Sequence, residues 1–244
     1  MKKFFENSIL KLQKERGIFH SEDDLKLSLG FIIKELYPEF KIRLEKPTKI
    51  GMIDVEGNES VVRAPIDIIV YDKNGKSIPI ELKYKTKKLE TEFNGESYSL
   101  TNHGATDIGR YSFRKDIYRI EQYLSREENS NFGIIFILTN EDNYINNNVG
   151  EKETFDKYFS CHQNSVLEKE YKGWNYSKID TKKYVKKNNL WKYINQNKKH
   201  WTFTGDKTYK LELKSNYPII WKEYSKLNGS EFKFCLIKIE KQLN

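Results

Sequence analysis

Residues 64–87 read APIDIIVYDKNGKSIPIELKYKTK (Ala64–Lys87), two hydrophobic runs around a turn. Such runs predict a β-hairpin buried in a sheet, yet Asp67 interrupts the first and Glu81 and Lys83 interrupt the second. The turn decides whether these three side chains meet. A two-residue turn on Asn74-Gly75 would set Asp67 against Leu82 and Ile66 against Lys83, mixing the faces of the ribbon. A three-residue loop, Lys73-Asn74-Gly75, with Gly75 left-handed as a bulge, sets Asp67 opposite Glu81. It also aligns Ile66, Ile68 and Val70 with Leu82, Ile80 and Ile78. A one-residue slip turns every side chain over, so the apolar pattern selects the second register. The Asp67 and Glu81 Cβ atoms are then expected about 4.5–5.5 Å apart, with Lys83 two residues on along the same face. Facing carboxylates repel, and a hard divalent cation between them, magnesium or manganese, would relieve the repulsion. The plain alternative is a solvated strand face carrying one acid and one lysine, which Lys85 extends outward.

Outward from the hairpin, periodicity predicts the rest of an α/β core. Phe4–Arg16 reads as a helix ended by Gly17. Ser21 is a candidate cap for a helix to Leu36, with Asp24 placed to answer it and Pro38 to stop it. Phe40–Leu44 alternates as a strand, and Lys46–Arg63 reads as an irregular or weakly stranded connection. Leu89–Thr106 is polar and aperiodic, a loop or flap with a short strand near Tyr98. Thr106–Arg126 has a helical stripe of Phe113, Ile117, Ile120 and Leu124, and Phe132–Leu138 reads as a central strand. Asn140–Gly150 is a loop and a natural boundary. Tyr209–Leu213 and Phe232–Ile239 alternate like strands. The expected fold class is α/β, a mixed β-sheet flanked by helices. Residues 1–145 form the expected core, and residues 146–244 a basic, aromatic-containing C-terminal region, packed on the core or extending from it.

At Pro65-Ile66-Asp67, thirteen residues, then Glu81-Leu82-Lys83, the chain resembles the PD-(D/E)XK, or restriction-endonuclease-like, nuclease superfamily. Ile66 is an extra residue between the proline and the aspartate. The element order from about Ser21 to Thr139 agrees with the family core, and residues 151–244 lie outside the resemblance. It implies a restriction-endonuclease-like core in which Asp67 and Glu81 hold magnesium and the Leu82 backbone carbonyl contributes. It also implies that Lys83 orients or deprotonates the attacking water, and a lysine beside a cation has a lowered pKa that suits a base. Many members add a carboxylate from the first core helix, for which Glu22 is the candidate; a capping or helix-dipole role is its alternative. Degenerate sites of this family usually lose one of the three motif residues, and all three are present here. The expectation is therefore a magnesium-dependent phosphodiesterase, an endonuclease rather than an exonuclease. The alternative is an inactive nucleic-acid-binding or protein-interaction module of the same fold.

The charge of the 244-residue chain is uneven. Residues 1–150 carry 23 Lys+Arg against 24 Asp+Glu, a net of −1, and residues 151–244 carry 20 against 11, a net of +9. Such asymmetry points to a polyanion partner, with DNA expected over RNA. The densest stretch, KIDTKKYVKKNNLWKYINQNKK (178–199), holds eight lysines and one acid. Lys182, Lys183, Lys186 and Lys187 are its candidate phosphate contacts, and Tyr184, Trp191 and Trp201 candidate stacking platforms. Along the helix after the hairpin, Asp107, Arg110 and Arg114 share one flank and Asp116 and Arg119 the other. Salt bridges on a solvated helix are the default there, and Arg110 and Arg114 are candidate phosphate ligands. His103 and Asn102 are placed to reach the site from a loop. No apolar run is long enough for a membrane span, and Cys161 and Cys235 suit a reduced compartment, so a cytoplasmic protein with no membrane contact is expected. Cys161-His162 lacks a second ligand pair at zinc-finger spacing. A homodimer or larger assembly is left open.

Overall fold

The computed structural model describes residues 2–147, 154–188, 190–196 and 198–242. The chain runs α1 (Lys2–Glu15), α2 (Glu22–Leu36), β1 (Lys41–Lys46), β2 (Lys49–Ile53), β3 (Glu59–Arg63), β4 (Ile66–Tyr71), β5 (Ser77–Lys85), β6 (Leu89–Phe93) and β7 (Glu96–Leu100). It continues through α3 (Thr106–Arg126), β8 (Phe132–Thr139), α4 (Asp142–Ile145), β9 (Val166–Leu167), β10 (Tyr184–Lys187) and β11 (Leu190–Tyr193). The last strands are β12 (Tyr217–Pro218), β13 (Trp221–Leu227) and β14 (Ser230–Glu240).

A six-stranded sheet in the order β1-β4-β5-β8-β14-β13 is the frame. It is mixed: β5 and β8 pair in parallel and the other neighbours are antiparallel. The crossover between the parallel strands is α3, and β8 is buried at every position, as its unbroken apolar run requires. α1 and α2 cover one face, packing on Ile68, Val70, Ile78, Ile80 and Leu82. α3 covers the other with Ile69, Ile135 and Ile137, and much of residues 155–219 packs on that side. α3 lies so close to the sheet that a Cβ on Gly133 would come within 2.4 Å of Ile120.

The hairpin takes the register that the apolar pattern selects. Ile68 pairs with Ile80 and Val70 with Ile78, and Gly75 has φ +76°. Asp72 closes the loop by accepting from the Asn74 and Lys76 amides. Ser21 caps α2 through the Asp24 amide at 3.1 Å, whereas Asp24 reaches one residue further back than expected, to the His20 amide at 2.9 Å.

Several expectations need correction. Lys46–Arg63 and Leu89–Thr106 are hairpins, β2–β3 and β6–β7. The second turns on Asn94-Gly95, both at positive φ, the type I′ signal that a polar stretch conceals. The Asn140–Gly150 loop contains α4, and its residues 148–150 lie outside the described residues. Tyr209–Leu213 is an extended strap rather than a ladder strand; its Lys210 amide bonds Ile53 and its Leu213 amide bonds Lys169. From the C-terminal region, β13 and β14 complete the central sheet against β8. Among the described residues no helix is long and apolar enough to cross a membrane.

Candidate active site

The β4–β5 ladder ends at Ile68–Ile80, and beyond it the strands part. β5 continues to Lys85, so its outward amides would be unpaired. Side chains take them in turn. The Leu82 amide donates to Asp67 Oδ2 at 2.8 Å, the Tyr84 amide to Glu22 Oε2 at 2.8 Å, and the Thr86 amide to His103 Nδ1 at 3.0 Å. Asp67 and Glu22 are thereby held over the opening, Glu22 from the first turn of α2. His103 reaches the same edge as expected, but serves its far end.

Around this opening acids and bases alternate. Lys83 Nζ donates to the Leu82 carbonyl at 2.9 Å and lies 3.3 Å from both Glu22 Oε1 and Asp116 Oδ2. Arg119 is 3.0 Å from Glu81 Oε1 and 3.1 Å from Asp116 Oδ1, and also donates to the Pro65 carbonyl. Lys26 is 3.3 Å from Asp67 Oδ1 and also pairs with Asp23 and Glu45. Asp67, Glu81, Lys83 and Glu22 are thus brought together. Asp116, Arg119 and Lys26 join them, and were not expected there. Asp116 is 1% exposed, far from the solvated-helix salt bridge its charge suggested. A signal was available: Asp116 is three residues after Phe113 and four before Ile120, on the buried stripe, and Lys26 is one turn from Glu22 on the same face.

Glu81 is the outlier. Its carboxyl is 0% exposed, and neither oxygen has an aligned hydrogen-bond partner. Burial first, then Asp116 and Asp67, push its pKa well above the usual carboxylate range against the pull of Arg119 and Lys83. Burial also opposes ionisation of Asp67, but Lys83, the adjoining Glu81 carboxyl, the Leu82 amide and Lys26 outweigh it and lower its pKa. Of the two acids, Glu81 is the one whose surroundings favour the protonated form and Asp67 the one whose surroundings favour the ionised form. Burial works against the Lys83 ammonium too, yet Asp116, Glu22, Asp67 and Glu81 together raise its pKa. Without a cation beside it, Lys83 is thus held in its charged form by the surrounding acids.

Among the described residues no three His, Cys, Asp or Glu side chains stand close enough to hold an ion as they lie. The chemistry of the donors nonetheless fits a hard cation. Glu81 is an orphaned buried carboxylate beside Asp67, and the Leu82 carbonyl and Glu22 already gather around the Lys83 ammonium.

Arg110 and Arg114 are not at this site. Arg110 pairs with Asp156 and the Asn143 carbonyl. Arg114, 1% exposed, spends its donors on the carbonyls of Leu211, Glu168, Lys169 and Glu170 at 2.7–3.0 Å. Both are fasteners for the C-terminal segment rather than phosphate ligands. Replacing Arg114 with Ala should cost about 3 kcal/mol, since the buried Leu211 carbonyl and three part-buried ones lose their donor at once. Chemical denaturation would register it as a lower midpoint.

Lys182, Lys183, Lys186 and Lys187 are exposed on and just before the β10–β11 hairpin, where Lys186 pairs with Trp191. Lys183 has Asp180 at 3.4 Å. Trp191 is half-buried, its ring 6.3 Å from Tyr176. Trp201 packs against Trp174 at 5.0 Å, and Tyr184 against Tyr193 at 4.4 Å and His200 at 4.8 Å, each half-buried. Lys199 meets Glu56 at 2.9 Å and thereby joins the basic segment to the β2–β3 hairpin beside the site. No family model matches the chain, and no curated protein or solved structure matches it either.

Proposed function

We propose that the chain is a metal-dependent nuclease of the PD-(D/E)XK type that hydrolyses phosphodiester bonds in DNA. The observation that carries this reading is the meeting of Asp67, Glu81, Lys83 and Glu22 at the mouth of a splayed hairpin. Asp67, Glu81, the Leu82 carbonyl and Glu22 would hold magnesium or manganese. When bound, such an ion lowers the pKa of a water and offsets charge gathering on the phosphate. The chain's own groups do the rest. Lys83, kept protonated by its acidic neighbours, donates to the attacking water or a phosphate oxygen and so orients the reaction. Arg119 fixes Glu81 and Asp116, and Lys26 steadies Asp67.

The test is incubation of purified protein with supercoiled plasmid and with single-stranded DNA, in magnesium and in chelator. Nicked or linear plasmid in magnesium alone is expected. A second reading, a binding module that does not cut, draws on one observation: Asp67 and Glu22 already satisfy backbone amides, and each site acid has a basic partner. Tight DNA binding with no cleavage in any metal would favour it.

The exposed lysines of the β10–β11 hairpin are the proposed backbone grip. Every phosphate that a lysine neutralises adds about 0.9 to the log–log salt slope on duplex DNA, so replacing Lys186 and Lys187 with Ala should flatten it by about 2. An unchanged slope would make this face merely solvated.

A further inference from the structure

A cleft of about 400 Å³ opens beside the acids, and Asp67 and Arg119 are among the residues that line it. Val62 of the β2–β3 hairpin and Tyr209, both half-buried, supply its accessible apolar lining, Ile50 and Met52 being almost wholly buried, and Lys115 and Asp206, 2.5 Å apart, line it too. The hairpin wall is fixed rather than loose. Tyr118 donates to the Gly51 carbonyl at 3.0 Å, the Val55 amide to Thr208 at 2.8 Å and the Lys210 amide to Ile53 at 2.8 Å. The cleft therefore exists before any substrate arrives, and its occupant need not order it.

Its size falls within the range of small-molecule clefts, about 300–1,000 Å³. Its chemistry is mixed: Val62 and the Tyr209 ring for the face of a planar ring, and a carboxylate and an ammonium for amino groups and phosphate. Asp67 is common to the cleft and to the site where the phosphate would react. Resting on the nuclease reading, we propose that this cleft takes one unpaired nucleotide of the DNA substrate, next to the scissile phosphate. A paired base is stacked inside the duplex and enters such a pocket only when extruded or already single-stranded. The substrate class is therefore single-stranded DNA, or duplex carrying an unpaired nucleotide at the cut.

The test reads binding in chelator, so that it stands apart from cleavage. Three oligonucleotides of one sequence carry 2-aminopurine in a single strand, in a full duplex, and as one unpaired nucleotide in a duplex. With the wild-type chain, the fluorescence of the two unpaired forms should change on binding and that of the paired form should not. Val62→Trp fills the cleft from its wall. It should weaken binding of the unpaired forms about tenfold or more, the loss expected when a base gives up its stacking platform, and leave the paired duplex unaffected. Should Val62→Trp fail to fold, the wild-type fluorescence decides alone. An unaltered signal from the unpaired forms, or an equal loss on paired and unpaired DNA, would overturn the inference. Failure of the nuclease reading looks different: binding with these preferences but no cleavage in magnesium.

Discussion

An Asp67→Asn protein is expected to lose magnesium-dependent cleavage by about 10²–10³-fold or more, the scale set by removing one group that stabilises transition-state charge, while keeping its fold. Asparagine retains an oxygen for the Leu82 amide, so the splayed edge of β5 stays satisfied. What it removes is the charge that Lys26 and Lys83 face and that a cation would need. Alanine is the poorer choice, because the Leu82 amide would lose its partner at a cost of about 1–3 kcal/mol. Lys83→Ala is worse still: Asp116 is 1% exposed and would lose a cation, a change worth about 3–5 kcal/mol for a broken buried pair. Plasmid nicking rates beside thermal melts separate lost chemistry from lost fold. An Asp67→Asn protein that melts normally and cuts at the wild-type rate would remove Asp67 from the mechanism.

Glu81→Gln should stabilise the metal-free protein at alkaline pH, by on the order of 2 kcal/mol for relieving a poorly satisfied buried charge. The direction follows from linkage. The folded chain holds the Glu81 proton more tightly than the unfolded chain, whose value is near 4.5. The stability due to that proton is fully present below pH 4.5 and is lost as pH rises through the raised folded value. Glutamine does not titrate, and its amide carries a donor beside Asp67. The melting temperatures of the two proteins should therefore converge in acid and part as pH rises, with Gln the higher. A gap that is constant with pH, or that widens in acid, would mean that Glu81 is ionised throughout. Excess magnesium should narrow the gap at high pH by stabilising only the protein that binds it.

How far the site was legible in the sequence depended on how local its signals are. The hairpin register was legible because the apolar alternation around the Lys73-Asn74-Gly75 loop admits one arrangement without burying Lys83 among isoleucines, but the parting of the strands just before Asp67 and Glu81 was not. Glu22 was legible as a candidate only, since its value to the site comes from the Tyr84 amide, 62 residues away. Asp116 and Arg119 were read by charge, as surface ion pairs, when their spacing on the α3 stripe gave the better clue. Arg110 and Arg114 failed in the opposite sense. Guanidinium forks suit phosphate and carbonyl oxygens alike, and only the fold brings residues 168–170 and 211 against Arg114. The C-terminal strands illustrate the same limit: Phe232–Ile239 alternates plainly, but its pairing with β8 across about a hundred residues of chain has no local mark.

Whether the acids form a metal site or a network that neutralises itself is decided most directly by calorimetric titration of magnesium into the wild-type chain and Asp67→Asn, near pH 7, in buffers of different ionisation enthalpy. The account predicts saturable binding to the wild-type chain, accompanied by proton release as Glu81 gives up its proton, and strongly weakened binding to Asp67→Asn. No heat above that of Asp67→Asn, or binding that is indifferent to Asp67 and releases no proton, would contradict it.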